Sequence, residues 1–168
     1  MILIINTTDD RDVSEKIRSE LRSTSTDFDI VEASEMKIGN CIGCNYCWLK
    51  TPGICTVKDD HETILRKMVG AEQVWIISDV TLDFVTPLAK NIVDRTIPLA
   101  TMNLKFKGDQ MRHVLRYGKK GYDFGLIIRG EADMDYLKRW SERVAVNFGG
   151  RSRGAFGTED IKEAVSCM

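Results

Sequence analysis

Two short, nearly continuous apolar runs, Ile2 to Ile5 and Val74 to Ile77, stand out against an otherwise mixed chain. A run without polar alternation is the pattern of a strand buried on both faces of a parallel sheet, so helices are predicted between such strands. Ile17 and Leu21 recur at helical spacing within Ser14 to Arg22, and Phe28 to Glu32 supplies a second strand. Asp59 followed by Glu62 resembles a capping box ahead of Ile64, Leu65, Met68 and Val69, and Gly70 closes that helix. A further helix is predicted from near Thr86, with Pro87 in its first turn and Leu88, Ile92 and Val93 on its apolar face. Tyr122 to Ile128 reads as a fourth strand, and Asp133 to Phe148 as an amphipathic helix through Leu137, Trp140, Val144 and Phe148. Arg153 to Phe156 is a weak fifth strand, and Ile161 to Met168 a short last helix.

Strands alternating with helices specify an α/β chain with an open parallel sheet covered on both faces. With 168 residues, 43% of them hydrophobic, a single domain over 1–168 can bury its own core. Such a sheet takes ligands at the carboxyl ends of its strands, where strand order reverses. The loops to expect there are 6–13, 34–58, 78–85 and 129–133.

The 24 basic and 25 acidic residues nearly cancel, which argues against nucleic acid or a membrane surface as partner. No segment approaches the roughly 20 apolar residues that cross a bilayer. The N-terminal apolar run is too short for a signal peptide and has no basic leader, so a reducing cytoplasm is the expected location. In that compartment clustered cysteines read as metal or catalytic ligands rather than as a disulfide framework.

Four of the five cysteines, Cys41, Cys44, Cys47 and Cys55, fall within fifteen residues at spacings x2, x2 and x7, in a cysteine-rich loop at 39–58. Thiolates so spaced on a Gly-containing loop can converge on one point, as iron in a 4Fe-4S cluster or zinc requires. Two other readings stay open: a structural loop with buried free cysteines, and thiol–disulfide sensing by Cys44 and Cys47. Cys167 lies outside the motif.

Cys41-Ile-Gly-Cys44-Asn-Tyr-Cys47-Trp48, Pro52-Gly53-Ile-Cys55 and Asp59-Asp60 are followed in order by Lys90, Asp94-Arg95-Thr-Ile-Pro98 and His113-Val-Leu-Arg116-Tyr117. In these motifs, which cover most of its length, the chain resembles the flavodoxin-like family of NADPH-dependent FMN reductases and iron-sulfur flavoproteins. The resemblance implies a doubly wound sheet of five strands in order 2-1-3-4-5, FMN, electron transfer from a nicotinamide, and a homodimer. It also favours iron over zinc at the cysteines. A short final helix fits a sheet completed by a partner subunit.

The resemblance places the FMN phosphate on the loop Asn6 to Ser14, with Thr7, Thr8, Arg11 and Ser14 as its ligands, and the flavin ring beside Val80 and Thr81. Asp9, Asp10 and Asp12 put negative charge beside that phosphate unless Arg11 or the helix N-terminus compensates. The segment Ser78-Asp-Val-Thr-Leu-Asp83 stands where the family has Thr-Pro-Val-Tyr-Phe-Gly, so the rigid turn, stacking ring and close backbone approach are missing. The alternative for the first loop is an ordinary strand-to-helix turn with Asp12 as the helix cap.

His113 lies among Arg112, Arg116, Lys119 and Lys120, a basic patch that either steers a nicotinamide phosphate or acidic electron-transfer protein, or is a solvated face. His61 is expected to make a surface or capping contact. Trp48 is placed to cover a flavin or fill a subunit contact, whereas Trp75 and Trp140 lie in core patterns.

Two functions follow. The first is an NAD(P)H-dependent FMN oxidoreductase or electron-transfer protein, with an iron-sulfur cluster if the cysteines hold one. There the flavin carries the chemistry and no catalytic side chain is required. The second is a flavin-free flavodoxin-fold module for binding, metal sensing or regulation through the cysteine loop.

Overall fold

The computed structural model describes residues 1–117 and 121–168. In chain order it contains β1 (Ile2–Asn6), α1 (Arg11–Arg22), β2 (Phe28–Glu32), α2 (Tyr46–Leu49), α3 (His61–Gly70), β3 (Gln73–Thr81), β4 (Phe84–Val85) and α4 (Pro87–Asp94). Then come β5 (Ala100–Lys107), β6 (Gln110–Leu115), β7 (Tyr122–Arg129), α5 (Met134–Asn147), β8 (Gly149–Gly157) and α6 (Ile161–Ser166).

The main sheet runs β2-β1-β3-β7-β8, all neighbours parallel. Its five parallel strands, taken alone, follow the order 2-1-3-4-5, and the numbering differs because β4, β5 and β6 intervene. This is the flavodoxin-like doubly wound fold.

Both faces of the sheet are buried. Along β1, Leu3 and Ile5 face one core with Ile64, Ile92 and Leu137, while Ile2 and Ile4 face the other with Ile17, Leu21 and Ile161. Val74 and Ile76 likewise separate from Trp75 and Ile77 along β3. Successive strand side chains point to opposite faces, so burial of both demands an unbroken apolar run. Gly125 on β7 lets the fully buried Trp75 indole lie against the strand, because a Cβ there would stand 2.5 Å from the ring.

Several boundaries differ from the sequence reading. The cap of α1 is Asp10, whose carboxylate accepts from Asp12 N, and not Asp12. Asp59 and Glu62 form no capping box, since Asp59 is drawn to Arg95 and Gly39 while Glu62 pairs with Arg66 and Lys58. Strand β8 is longer than expected because Gly149, Gly150 and Gly154 hid its pattern, and Gly150 is needed where a Cβ would meet Tyr122 O at 2.1 Å. The hairpin β5–β6 and the short β4 are additions. No described helix is long and apolar enough to cross a membrane.

Candidate functional site

Four residues, Thr7 to Asp10, join β1 to α1. The Asn6 side chain, fully buried, organises them: its Nδ2 reaches Ser14 Oγ at 3.0 Å and Glu32 Oε2 at 2.9 Å, while its Oδ1 accepts from Thr8 N and Thr8 Oγ1. Thr7 Oγ1 donates to Ile77 O at 2.8 Å. Thr7, Thr8 and Ser14 are all buried in these internal contacts. Arg11 turns away to Glu35.

Arg129, at the end of β7, faces this loop. Its guanidinium pairs with Asp79 of β3, with Asp9 at 2.6 Å and with Asp10 at 3.2 Å. Those carboxylates, Asp79 foremost, push the Arg129 pKa further up. A phosphate needs free N–H groups at a helix N-terminus and an available cation. Here the Asp10 carboxylate takes Asp12 N at the helix N-terminus and Arg129 is paired with three carboxylates, so an FMN phosphate at this loop would have to compete with them.

Val80 and Thr81 are drawn into a β-hairpin, pairing with Val85 and Phe84 across a turn in which Leu82 and Asp83 have φ of 52° and 58°. Val80 packs on the core and Thr81 is exposed. The rigid, ring-bearing loop of the family is replaced by ladder pairing.

The cysteine loop is anchored by two arginines from outside it. Arg95, 2% exposed, donates to Asp59 at 2.6 and 3.0 Å, to Gly39 O at 2.8 Å, and approaches Cys55 Sγ at 3.6 Å. Burial raises the Asp59 pKa, but the Arg95 guanidinium and the Gly39 N–H outweigh it and hold the carboxyl below its ordinary value. Asn91 of α4 brackets the loop by donating to Gly39 O and accepting from Cys41 N. Arg116 bridges Cys47 O at 3.4 Å to Pro98 O and Ala100 O.

Within the loop, Gly43 and Asn45 take positive φ and turn the chain into α2, which carries Cys47 and Trp48. Cys41 is exposed, Cys44 and Cys55 are half-buried, and Cys47 is buried. Desolvation, followed by the nearby thiols of Cys55, Cys44 and Cys41, pushes the Cys47 thiol up. With the three other thiols acting on Cys47, the loop holds four sulfurs, the number and kind that iron-sulfur or zinc chemistry uses. They are not drawn to one point: among the described residues no three His, Cys, Asp or Glu side chains are arranged to hold a metal ion.

His61 is a correction. It is fully buried, with Nε2 3.2 Å from Ile92 O and, among the described residues, no partner for Nδ1, and burial lowers its pKa to about 4. Trp48 is half-buried, donating to Ile97 O at 2.9 Å and lying 4.9 Å from the His113 ring. Trp75 is fully buried, and Trp140 packs against the core at its edge. The basic patch is rearranged, since Arg116 faces the cysteine loop; Lys119 and Lys120 lie outside the described residues. Arg129 had no signal in the chain's local pattern, and Arg95 and Arg116 were visible only as parts of motifs.

No family model matches the chain. An iron-sulfur flavoprotein of Methanocaldococcus jannaschii is 34% identical over 71 residues, covering 42% of this chain and 36% of the relative. An iron-sulfur flavoprotein of Archaeoglobus fulgidus is 33% identical over 82 residues, covering 49% and 39%. The match therefore spans little more than a third of either relative. Among solved structures, RosB with a bound 8-demethyl-8-formylriboflavin-5'-phosphate intermediate superposes with a TM-score of 0.65 at 14% identity, covering 98% of this chain and 75% of RosB. The general stress protein 14 of Treponema denticola in complex with FMN has a TM-score of 0.52 at 14% identity, covering 98% and 93%. The two-electron reduced flavodoxin of Megasphaera elsdenii has a TM-score of 0.54 at 12% identity, covering 99% and 97%. In fold the chain is similar to these flavodoxin-like structures, and over part of its length it is similar in sequence to the iron-sulfur flavoproteins.

Proposed function

We propose that this protein is a flavodoxin-like redox protein whose electron-handling groups are the thiols of the cysteine loop. One observation carries the reading: Cys55 lies 3.6 Å from a guanidinium that is almost fully buried and clamps both ends of the loop through Gly39 and Asp59. The clamp fixes the position of that sulfur within the loop that carries the other three cysteines. The occupant in keeping with the relatives' names is a 4Fe-4S cluster on Cys41, Cys44, Cys47 and Cys55, with zinc second.

A second reading adds FMN, reduced by NAD(P)H, and makes the chain an oxidoreductase passing electrons to a protein partner. It is supported by the flavoprotein relatives and by the fold shared with FMN-binding structures. It requires Arg129 to exchange Asp9 and Asp10 for the phosphate, since the guanidinium cannot serve both.

The visible spectrum of protein purified without oxygen, before and after FMN and then NADPH, tests both readings. A broad iron-sulfur absorbance, or stoichiometric zinc in a colourless sample, supports the cysteine loop as the working centre. Bound-flavin bands that bleach with NADPH establish the second reading. A colourless, metal-free protein whose thiols show no redox-dependent change overturns the first.

A further inference from the structure

Between the β5–β6 hairpin and the amino-terminal ends of β7 and β8 lies a groove of about 790 Å³, lined by Lys105, Lys107, Arg112, His113, Arg151 and Asp123 among others. Strand geometry concentrates its charge. Lys105 and Lys107 are two residues apart and share one face of β5, and Arg112 stands directly opposite Lys105 in the antiparallel register. Like charges set directly opposite destabilise a two-stranded ribbon unless something neutralises them.

Nothing described in the chain does so. The carboxylate in the groove, Asp123, is taken by Arg153 at 2.7 Å, and Arg151 offers it only a backbone N–H. Among the described residues, Arg112 Nε is buried without a partner. Four side-chain cations are therefore left to one groove of a protein whose formal net charge is -1.

We propose that this groove binds a small polyphosphate, the diphosphate or triphosphate of a nucleotide. Its volume falls within the roughly 300–1,000 Å³ of small-molecule sites and exceeds the needs of a single phosphate. Lys105 and Lys107 project about 7 Å apart along the strand, which spreads the charge over more than one phosphate. The Arg112 fork suits a phosphate better than a point charge does. The groove lies at the opposite end of the sheet from Thr7 and Asp79, so the inference stands apart from the redox reading.

Calorimetric titration of the full chain with pyrophosphate and with ATP, alongside polyglutamate, tests it. The expected result is saturable binding of pyrophosphate or ATP that weakens as salt rises. Binding should fall roughly tenfold or more in Lys105→Ser/Lys107→Ser and in Arg112→Gln, the loss of charge-assisted hydrogen bonds. Both lysines are exposed and Lys105 faces Arg112 across the ribbon, so the double variant should keep or slightly raise the wild-type Tm. Absence of saturable binding, equal binding by a folded double variant, or binding of polyglutamate alone overturns the proposal.

Discussion

Cys41 and Cys47 sit six residues apart in one loop, yet their surroundings oppose each other. Cys41 is exposed, whereas desolvation and then three neighbouring thiols push the Cys47 pKa up. Timed alkylation of the reduced, metal-free protein with iodoacetamide, read by mass spectrometry, should modify Cys41 first and Cys47 last. Equal rates would show that the loop does not hold Cys47 as described.

His61 makes a second prediction at this scale. Its folded pKa, about 4, lies below the ordinary 6.5 because the neutral ring is buried. The unfolded chain therefore takes up a proton near pH 6.5 that the folded chain refuses until about pH 4. Stability is fully present above that window, is lost as pH falls through it, and changes no further from this group below it. The loss amounts to roughly 3 kcal/mol. Urea unfolding at pH 7.5 and 4.5 should show it, and His61→Gln should flatten the dependence. An identical slope in the variant would assign the effect to other groups. Its position after Asp59-Asp60 suggested a surface role; burial beneath Ile92 is a fact of helix packing that no local pattern carries.

At the scale of elements, the decisive feature is how loops are pinned from a distance. Arg95 reaches from just beyond α4 to Asp59, 36 residues away, in a nearly dry site. Removing one partner of a buried ion pair strands the other, so Arg95→Met should cost about 3–5 kcal/mol in urea unfolding. It should also speed alkylation of Cys55, because the loop loses its clamp. Arg95→Lys should recover part of the stability, since an ammonium cannot span Asp59, Gly39 O and Cys55 together. Unchanged stability in Arg95→Met would remove the clamp from the account.

The strand-end loops follow the same logic. Arg129 joins β7 to both β3 and the β1–α1 loop through Asp79, Asp9 and Asp10. Arg129→Gln should lower Tm at pH 7 by leaving three carboxylates together without their shared cation. An unchanged Tm would contradict that pairing. The β5–β6 hairpin was not read from the chain; it turns at Gly108, which takes φ 62°. Its strands alternate cations on one face with Leu104, Phe106 and Met111 on the other, a short period-two pattern unlike the continuous apolar runs by which the buried strands were recognised.

For the whole molecule, chain order and apolar runs determined the architecture: strands buried on both faces must be continuous, and helices between parallel strands must cover them. Those constraints act within short windows, so the sheet and most helices could be read from the chain, while the strand order was implied by the family resemblance. The four clustered cysteines could be read for the same reason. What the tertiary structure decided was which charges meet. Arg129 with Asp9 and Asp79, Arg95 with Cys55, and Lys105, Lys107 and Arg112 with Arg151 are brought together by strand register and crossover connections. Coulombic pairing depends on distance in space and leaves no period in the sequence, so the closed strand-end loop and the cationic groove emerged only on folding.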